Sequence, residues 1–234
     1  MKTSSMIAFG AIALAAAIFV NTSFADDDKN ANASAIFDRD CKGTPAKVDG
    51  SEAHIAWDGS DHVALAVPSD AHWRRGEGSD LVIRGDASDL ARIRLDKGTI
   101  RLCGDNDLED KVEITLPGRT FRSVTIAGVG DVVMEDVDQS ELDLTIAGAG
   151  EIKAHGHSDD VKLTIAGAGD AHLGKLTTKR LGVTITGAGS AEASPQDNAD
   201  VTIMGAGTVD LLTRPARHDF DVFGAGEVNM PGRT

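Results

Sequence analysis

A short phrase, hydrophobic-Thr-hydrophobic followed one residue later by Gly-x-Gly, recurs through the second half of this 234-residue chain. It reads Val124-Thr125-Ile126-Ala127-Gly128-Val129-Gly130 and again Leu144-Thr145-Ile146-Ala147-Gly148-Ala149-Gly150. Leu163 to Gly169, Val183 to Gly189 and Val201 to Gly207 repeat it, and a degenerate copy runs from Phe220 to Gly226. The first glycines stand at Gly128, Gly148, Gly167, Gly187, Gly205 and Gly224, a spacing of 18 to 20 residues. Self-similarity at that period marks a solenoid, in which each repeat is one turn that cannot bury its apolar face alone.

Aligned as columns, the repeats describe one coil. Leu142, Leu144 and Ile146 alternate with Asp143 and Thr145, and Leu181, Val183 and Ile185 match them two copies on. Such period-two alternation marks a half-buried strand. A second short strand follows each Gly-x-Gly, with Ile152 and Ala154 inward, matched by Ala171 and Leu173, Val209 and Leu211, and Val228 and Met230. A loop of variable length, such as His155 to Asp160, is expected to lead to the next coil. Parallel stacking about 4.8 Å apart without crossover helices predicts a parallel β-helix of 19–20 residues per coil, right-handed by the commoner winding. The second glycines of the corner are Gly130, Gly150, Gly169, Gly189, Gly207 and Gly226. Stacked corners leave no room for Cβ atoms, so all twelve glycines are read as structural.

Before the repeats the strand signal persists in blurred form. Val63, Leu65 and Val67, then Ile93 and Leu95, then Val112, Ile114 and Leu116 alternate with small or polar residues, separated by turn residues such as Gly76-Glu77-Gly78. A sustained helical period is absent from the mature sequence, which is therefore all-β. The expected organisation is a signal peptide over 1–25, a flexible acidic leader over 26–36, and one solenoid domain over 37–234. Its coils would be irregular over 37–120 and regular over 121–232.

Lys2, the apolar run Met6–Val20 and the small-x-small Ser23-Phe24-Ala25 carry the signal-peptide reading, and no second apolar run predicts a membrane span. Removing 1–25 takes away Lys2 alone, leaving 22 basic against 37 acidic residues and a net charge of −15. That balance excludes nucleic acid as a partner. Cys41 and Cys103 are the only cysteines, and in an oxidising compartment an isolated pair reads as one disulfide, against two buried thiols as the alternative.

Four features invite a chemical reading. Gly-Ala-Gly after a strand evokes a dinucleotide turn, but the third glycine and the following helix are missing, so no cofactor is expected. Asp131, Glu151, Asp170, Ser190, Thr208 and Glu227 follow the second glycine in each copy. They could form a Ca²⁺-binding column of carboxylates, yet the neutral Ser190 and Thr208 favour solvated outward residues. His155 and His157, with His172 one coil away, are weak candidates for Zn²⁺ or Cu²⁺ that lack a further fixed ligand. His72-Trp73-Arg74-Arg75 is a basic-aromatic cluster that could stack on a sugar or grip an anion, set against an ordinary edge turn. The sequence assigns no catalytic residue and no metal.

The repeated Thr-Ile-x-Gly-x-Gly-Asp/Glu phrases, behind an exported β-rich segment, resemble the bacterial head GIN domain of putative autotransporter adhesins. The resemblance spans Phe37 to Met230 and is strongest from Val124 to Gly226. It implies an exported β-helical domain and supplies no catalytic residues. After Gly226 too little sequence follows for a translocator barrel, so a periplasmic home is expected, with secretion or the cell surface as alternatives. The expected function is a non-enzymatic scaffold or adhesin-like binding module for an envelope protein or glycan. The alternative is a polysaccharide-active β-helix enzyme, possibly Ca²⁺-dependent, which the absence of Tyr and the scarcity of aromatic platforms disfavour. The degenerate last copy, rich in Phe220, Phe223 and Met230, points to homo-oligomer contact through the C-terminal coil end, set against Arg214 to His218 or the N-terminal leader folding over that end.

Overall fold

The computed structural model describes residues 41–104, 108 and 110–232. The signal peptide and acidic leader lie outside the described residues. What is described is nearly all-β, a stack of parallel strands wound as a β-solenoid. The regular part comprises β10 (Ser123–Gly167), β11 (Asp170–Gly187), β12 (Ser190–Gly205), β13 (Thr208–Leu211), β14 (Arg217–Gly224) and β15 (Glu227–Asn229). Each pairs in parallel with the strand one coil away: Leu163 with Val183, Ile165 with Ile185, Gly167 with Gly187, and onward to Ile203 and Gly205. Ile126, Ile146, Ile165, Ile185 and Ile203 thus stack in one column, each no more than 1% exposed. At about 2 kcal/mol for each buried branched side chain, this column alone supplies much of the drive to stack. The inward residues expected on the second strand, Ile152, Ala154, Ala171, Leu173, Val209 and Leu211, are buried too.

The structure corrects the reading of His155–Asp160 as a loop. That stretch is strand and pairs with the next coil, Gly156 against Leu176, His157 against Thr177 and Asp160 against Arg180, so each coil has a third side. Its inward positions are polar but satisfied. Ser158 Oγ donates to Asp160 O at 3.0 Å, and Thr178 Oγ donates to Asp159 O and Arg180 O at 3.2 and 2.9 Å. Hydroxyls bonding nearby carbonyls turn the chain without apolar bulk, which blurs the sequence signal there.

The N-terminal half departs further from a simple coil series. β4 (His62–Ala66) and β5 (Ser69–Arg74) make one coil that stacks in parallel on the start of β10, Leu65 against Ile126 and Ala71 against Val132. The next stretch of chain does not climb onto β10. β8 (Thr99–Leu102) and β9 (Val112–Thr115) pair with the opposite edges of β4 and β5. Below them the pairing turns antiparallel: β7 (Ile93–Asp96) joins β8, and β6 (Asp80–Arg84) joins β9. Beyond these lie β1 (Thr44–Pro45) on β7, β3 (Glu52–Ala56) on β6, and β2 (Lys47–Asp49) on β3. A one-turn helix, α1 (Ala87–Leu90), is capped by the Asp86 carboxylate on the Ser88 amide. Leu90, Leu81, Ile83 and Ile93 are all fully buried, so this layered cap closes the core at its N-terminal end. Cys41 and Cys103 form a disulfide across it, Cα–Cα 5.0 Å.

Candidate functional site

The corner between the first and second sides is a seam of backbone. Gly148, Gly167, Gly187 and Gly205 all hold φ between +128° and +145°, and a Cβ on any of them would lie 2.2–2.3 Å from the carbonyl oxygen of the glycine one coil below. Between the glycines, Ala149, Ala168, Ala188, Ala206 and Ala225 face solvent. Beside this corner runs a straight column of threonines. Thr125 is 5% exposed, while Thr145, Thr164, Thr184 and Thr202 are half-buried. Thr164 opposes Thr184 and Thr184 opposes Thr202 in register. Their neighbours toward the corner, Ala127, Ala147, Ala166 and Thr186, are small, while Met204 beside Thr202 is large and 39% exposed, so the face is flat up to that last coil and carries its hydroxyls at the strand spacing of about 4.8 Å.

The carboxylate column forms as its sequence spacing suggests, and lysines pair with Asp70, Asp131 and Glu151 in it. Asp70, Asp131, Glu151, Asp170, Ser190, Thr208 and Glu227 share one register along the second side. Lys111 Nζ donates to Asp70 Oδ1 at 2.8 Å and to Asp131 Oδ2 at 2.9 Å. Those bonds raise the Lys111 pKa. For Asp131, partial burial works to raise the pKa, but the Lys111 bond and charge and the Glu151 amide outweigh it and the net shift is down. Lys153 Nζ and His172 Nε2 approach the two oxygens of Glu151 at 2.6 and 2.8 Å. Ser190 Oγ donates to Asp170. Among the described residues, every carboxyl with a shifted pKa, namely Glu52, Asp58, Asp86, Asp131 and Asp159, is shifted downward. These groups are held ionised, opposite to the need of a general acid.

The three histidines do not converge. His157 Nε2 lies 3.1 Å from Asp159, whose carboxylate also takes Lys179 at 2.7 Å, while His172 belongs to Glu151 and the second side. Among the described residues no group of three or more His, Cys, Asp or Glu side chains is placed to hold a metal ion.

The His72–Arg75 cluster is divided by the pleat. Trp73 is 2% exposed and its indole donates to Arg119 O at 2.9 Å, so this side chain is core and offers no stacking platform. Its inward turn corrects the reading of the four residues as one binding patch. His72 is exposed, Arg74 pairs with Glu135, and Arg75 Nη1 donates to Asp138 at 2.5 Å. The sequence reading passed over an open cleft of about 300 Å³ near the disulfide, lined by Gly43, Thr44, Asp58, Ser60, Leu95, Asp96 and Lys97. Its Asp58 carboxylate accepts the Ser60 and Gly98 amides at 3.0 and 2.7 Å. Burial would raise its pKa, yet those bonds lower it. The Asp58-Gly59-Ser60 turn was visible, but its closure on Gly98, forty residues away, was not.

Among solved structures, a putative adhesin from Bacteroides fragilis NCTC 9343 is 19% identical, aligns over 81% of this chain and all of its own, and has a TM-score of 0.62. A putative lipid binding protein from Parabacteroides distasonis ATCC 8503 is 13% identical over 82% of this chain and all of its own, with a TM-score of 0.47. The first likeness shows that the fold is shared. No curated protein matches the chain. The matching family model and the Bacteroides fragilis structure are named for adhesins. Residues 111–215, which include the whole threonine face and the carboxylate column from Asp131 to Thr208, match the family model described as putative auto-transporter adhesin, head GIN domain.

Proposed function

We propose that this protein is an exported, non-enzymatic, adhesin-like binding module of the bacterial cell envelope, resident in the periplasm, and that its threonine face holds a repeating partner such as a glycan. The observation that carries the reading is the column Thr145, Thr164, Thr184 and Thr202. Four half-buried hydroxyls stand in line on a rigid coil, with Ala147, Ala166, Thr186 and the exposed Met204 on their corner side, and make no side-chain hydrogen bond to another described residue. A rigid row of unspent hydroxyls loses little entropy on binding and matches a ligand that repeats at a similar interval. The family match and the paired, ionised state of the carboxylates support a binding role over a catalytic one. The family match over residues 111–215 also supports export to the envelope. No described helix is long and apolar enough to cross a membrane.

The test is glycan-array and envelope-fraction binding by the purified protein, compared with a Thr164→Lys/Thr184→Lys variant whose folding is verified by circular dichroism. The expected result is retention of a polymeric ligand that the variant loses. Polysaccharide cleavage abolished by a substitution at Asp131 or Glu151 would overturn the non-enzymatic reading. Equal binding by the variant would remove the threonine face from it.

A further inference from the structure

The two ends of the solenoid are unlike. At the N-terminal end, antiparallel strands and α1 cover the core, and Leu81, Ile83, Leu90 and Ile93 are fully buried. At the other end, among the described residues, β14 pairs only with β12, and β15 only with β13. Val222 continues the isoleucine column above Ile203, yet it is 40% exposed where Ile203 is 0%. Phe220, Val228 and Met230 extend other core columns and are also only partly buried. An open row of strand N–H and C=O groups over an uncovered core is a template for another strand edge.

Charge on β14 selects the geometry. Its outward positions read Arg217, Asp219, Asp221 and Phe223. In interior coils, charges at this kind of position are neutralised from coil to coil, as Arg180 is by Asp160 and Lys179 by Asp159. Among the described residues, Arg217 and Asp221 have no such partner. Laying a second β14 in parallel at equal register would set Arg217 on Arg217 and the aspartates on each other, which is unfavourable. Antiparallel pairing centred on Asp219 sets Arg217 of each copy opposite Asp221 of the other. It also places His218 opposite Phe220 on the inward side, where these two rings already lie 5.2 Å apart within one chain. An antiparallel self-pairing is what a two-fold axis generates, and it closes the assembly at two copies. Among the described residues, the N-terminal end is an antiparallel cap and offers no matching open coil for head-to-tail growth.

From this geometry we infer that the protein forms a two-fold, tail-to-tail dimer in which β14 pairs with β14 of a second copy and the two cores become continuous. The Asp219 pair on the axis opposes the dimer, while the two Arg217–Asp221 contacts favour it.

The experiment is sedimentation equilibrium of the whole protein over a wide dilution series. The parent is expected as a monomer–dimer equilibrium without higher species. Arg217→Glu and Asp221→Arg each place like charges across the interface and should weaken dimerisation by about tenfold or more. Both side chains are exposed, so folding is not at risk. The double swap Arg217→Glu/Asp221→Arg restores opposite charges and should return the dissociation constant toward the parental value, and Asp219→Asn should tighten it. A strictly monomeric parent, an open-ended distribution of masses, or a double swap no better than the single variants would each overturn the inference.

Discussion

Replacing Gly167 with alanine brings two separate costs together at one corner. The first is local: φ is +139°, a region that residues with a Cβ avoid at a cost of about 1–3 kcal/mol. The second comes from the neighbouring coil. The new Cβ would lie 2.2 Å from Gly148 O and 3.1 Å from Gly148 C. That same oxygen accepts the Ala168 amide at 3.0 Å, so the coils cannot part without lengthening a ladder bond worth about 1 kcal/mol. Spreading packed coils costs a further ~1–3 kcal/mol, which brings the whole to roughly 3–7 kcal/mol. Gly128 is the internal control. It has the same φ of +139°, but nothing lies within 4 Å of its virtual Cβ, so Gly128→Ala bears the strain alone. For a domain of this size 1 kcal/mol lowers the melting temperature by about 2–4 °C. Gly167→Ala should therefore lose at least ~6 °C, about twice the loss of Gly128→Ala. Thermal unfolding followed by far-ultraviolet circular dichroism, with a urea midpoint beside it, measures both. Equal midpoints for the two variants would refute the claim that stacking, rather than φ alone, demands glycine here.

Opening the Cys41–Cys103 bond, which spans 62 residues, should destabilise the cap by about 4 kcal/mol on the chain-entropy estimate. Unfolding with and without reductant tests the size, and thiol titration of unfolded, unreduced protein should find none. Lys111→Met should raise the pKa of Asp131, observable by carboxyl NMR titration. A lowered carboxyl pKa contributes stability that is present above the unfolded value and lost as pH falls through the folded one. The parent should therefore lose stability more steeply than the variant below about pH 4, and parallel acid limbs would sink the point. Trp73→Phe leaves Arg119 O without its indole donor and shrinks a buried side chain, for a loss of about 2–4 kcal/mol in urea unfolding.

The regular coils were legible because their cause is local and repeated. Each copy carries its own alternation and its own glycine corner, so agreement among copies in Leu144, Leu163, Val183 and Val201 fixes register as well as strand. The third side was missed because Ser158 and Thr178 point inward without being apolar. Trp73 looked available because its neighbours are charged, and only pairing with Met134 and the bond to Arg119 O show which way the pleat sends it. The carboxylate column was legible as a column, but not its clamp. Lys111 lies 20 residues from Asp131 and 41 from Asp70, at the edge of a strand that the chain tucks beneath the coil it has already made.

Sequence alone determined the all-β class, the coil length, the glycine seam, the identity of the inward columns and the cysteine pair, since each is a property of one repeat or of residues too few to pair otherwise. The order of stacking was decided only in three dimensions. His62–Arg74 is a coil, and the later strands Thr99–Leu102 and Val112–Thr115 take its lower edge while Ser123 onward takes its upper one. Every such strand presents the same generic N–H and C=O edge, so the sequence of any one of them does not say which edge it will join. That choice belongs to the assembled core, where burying Leu90 and Ile93 under one end and leaving Val222 open at the other makes the two ends of the solenoid different surfaces.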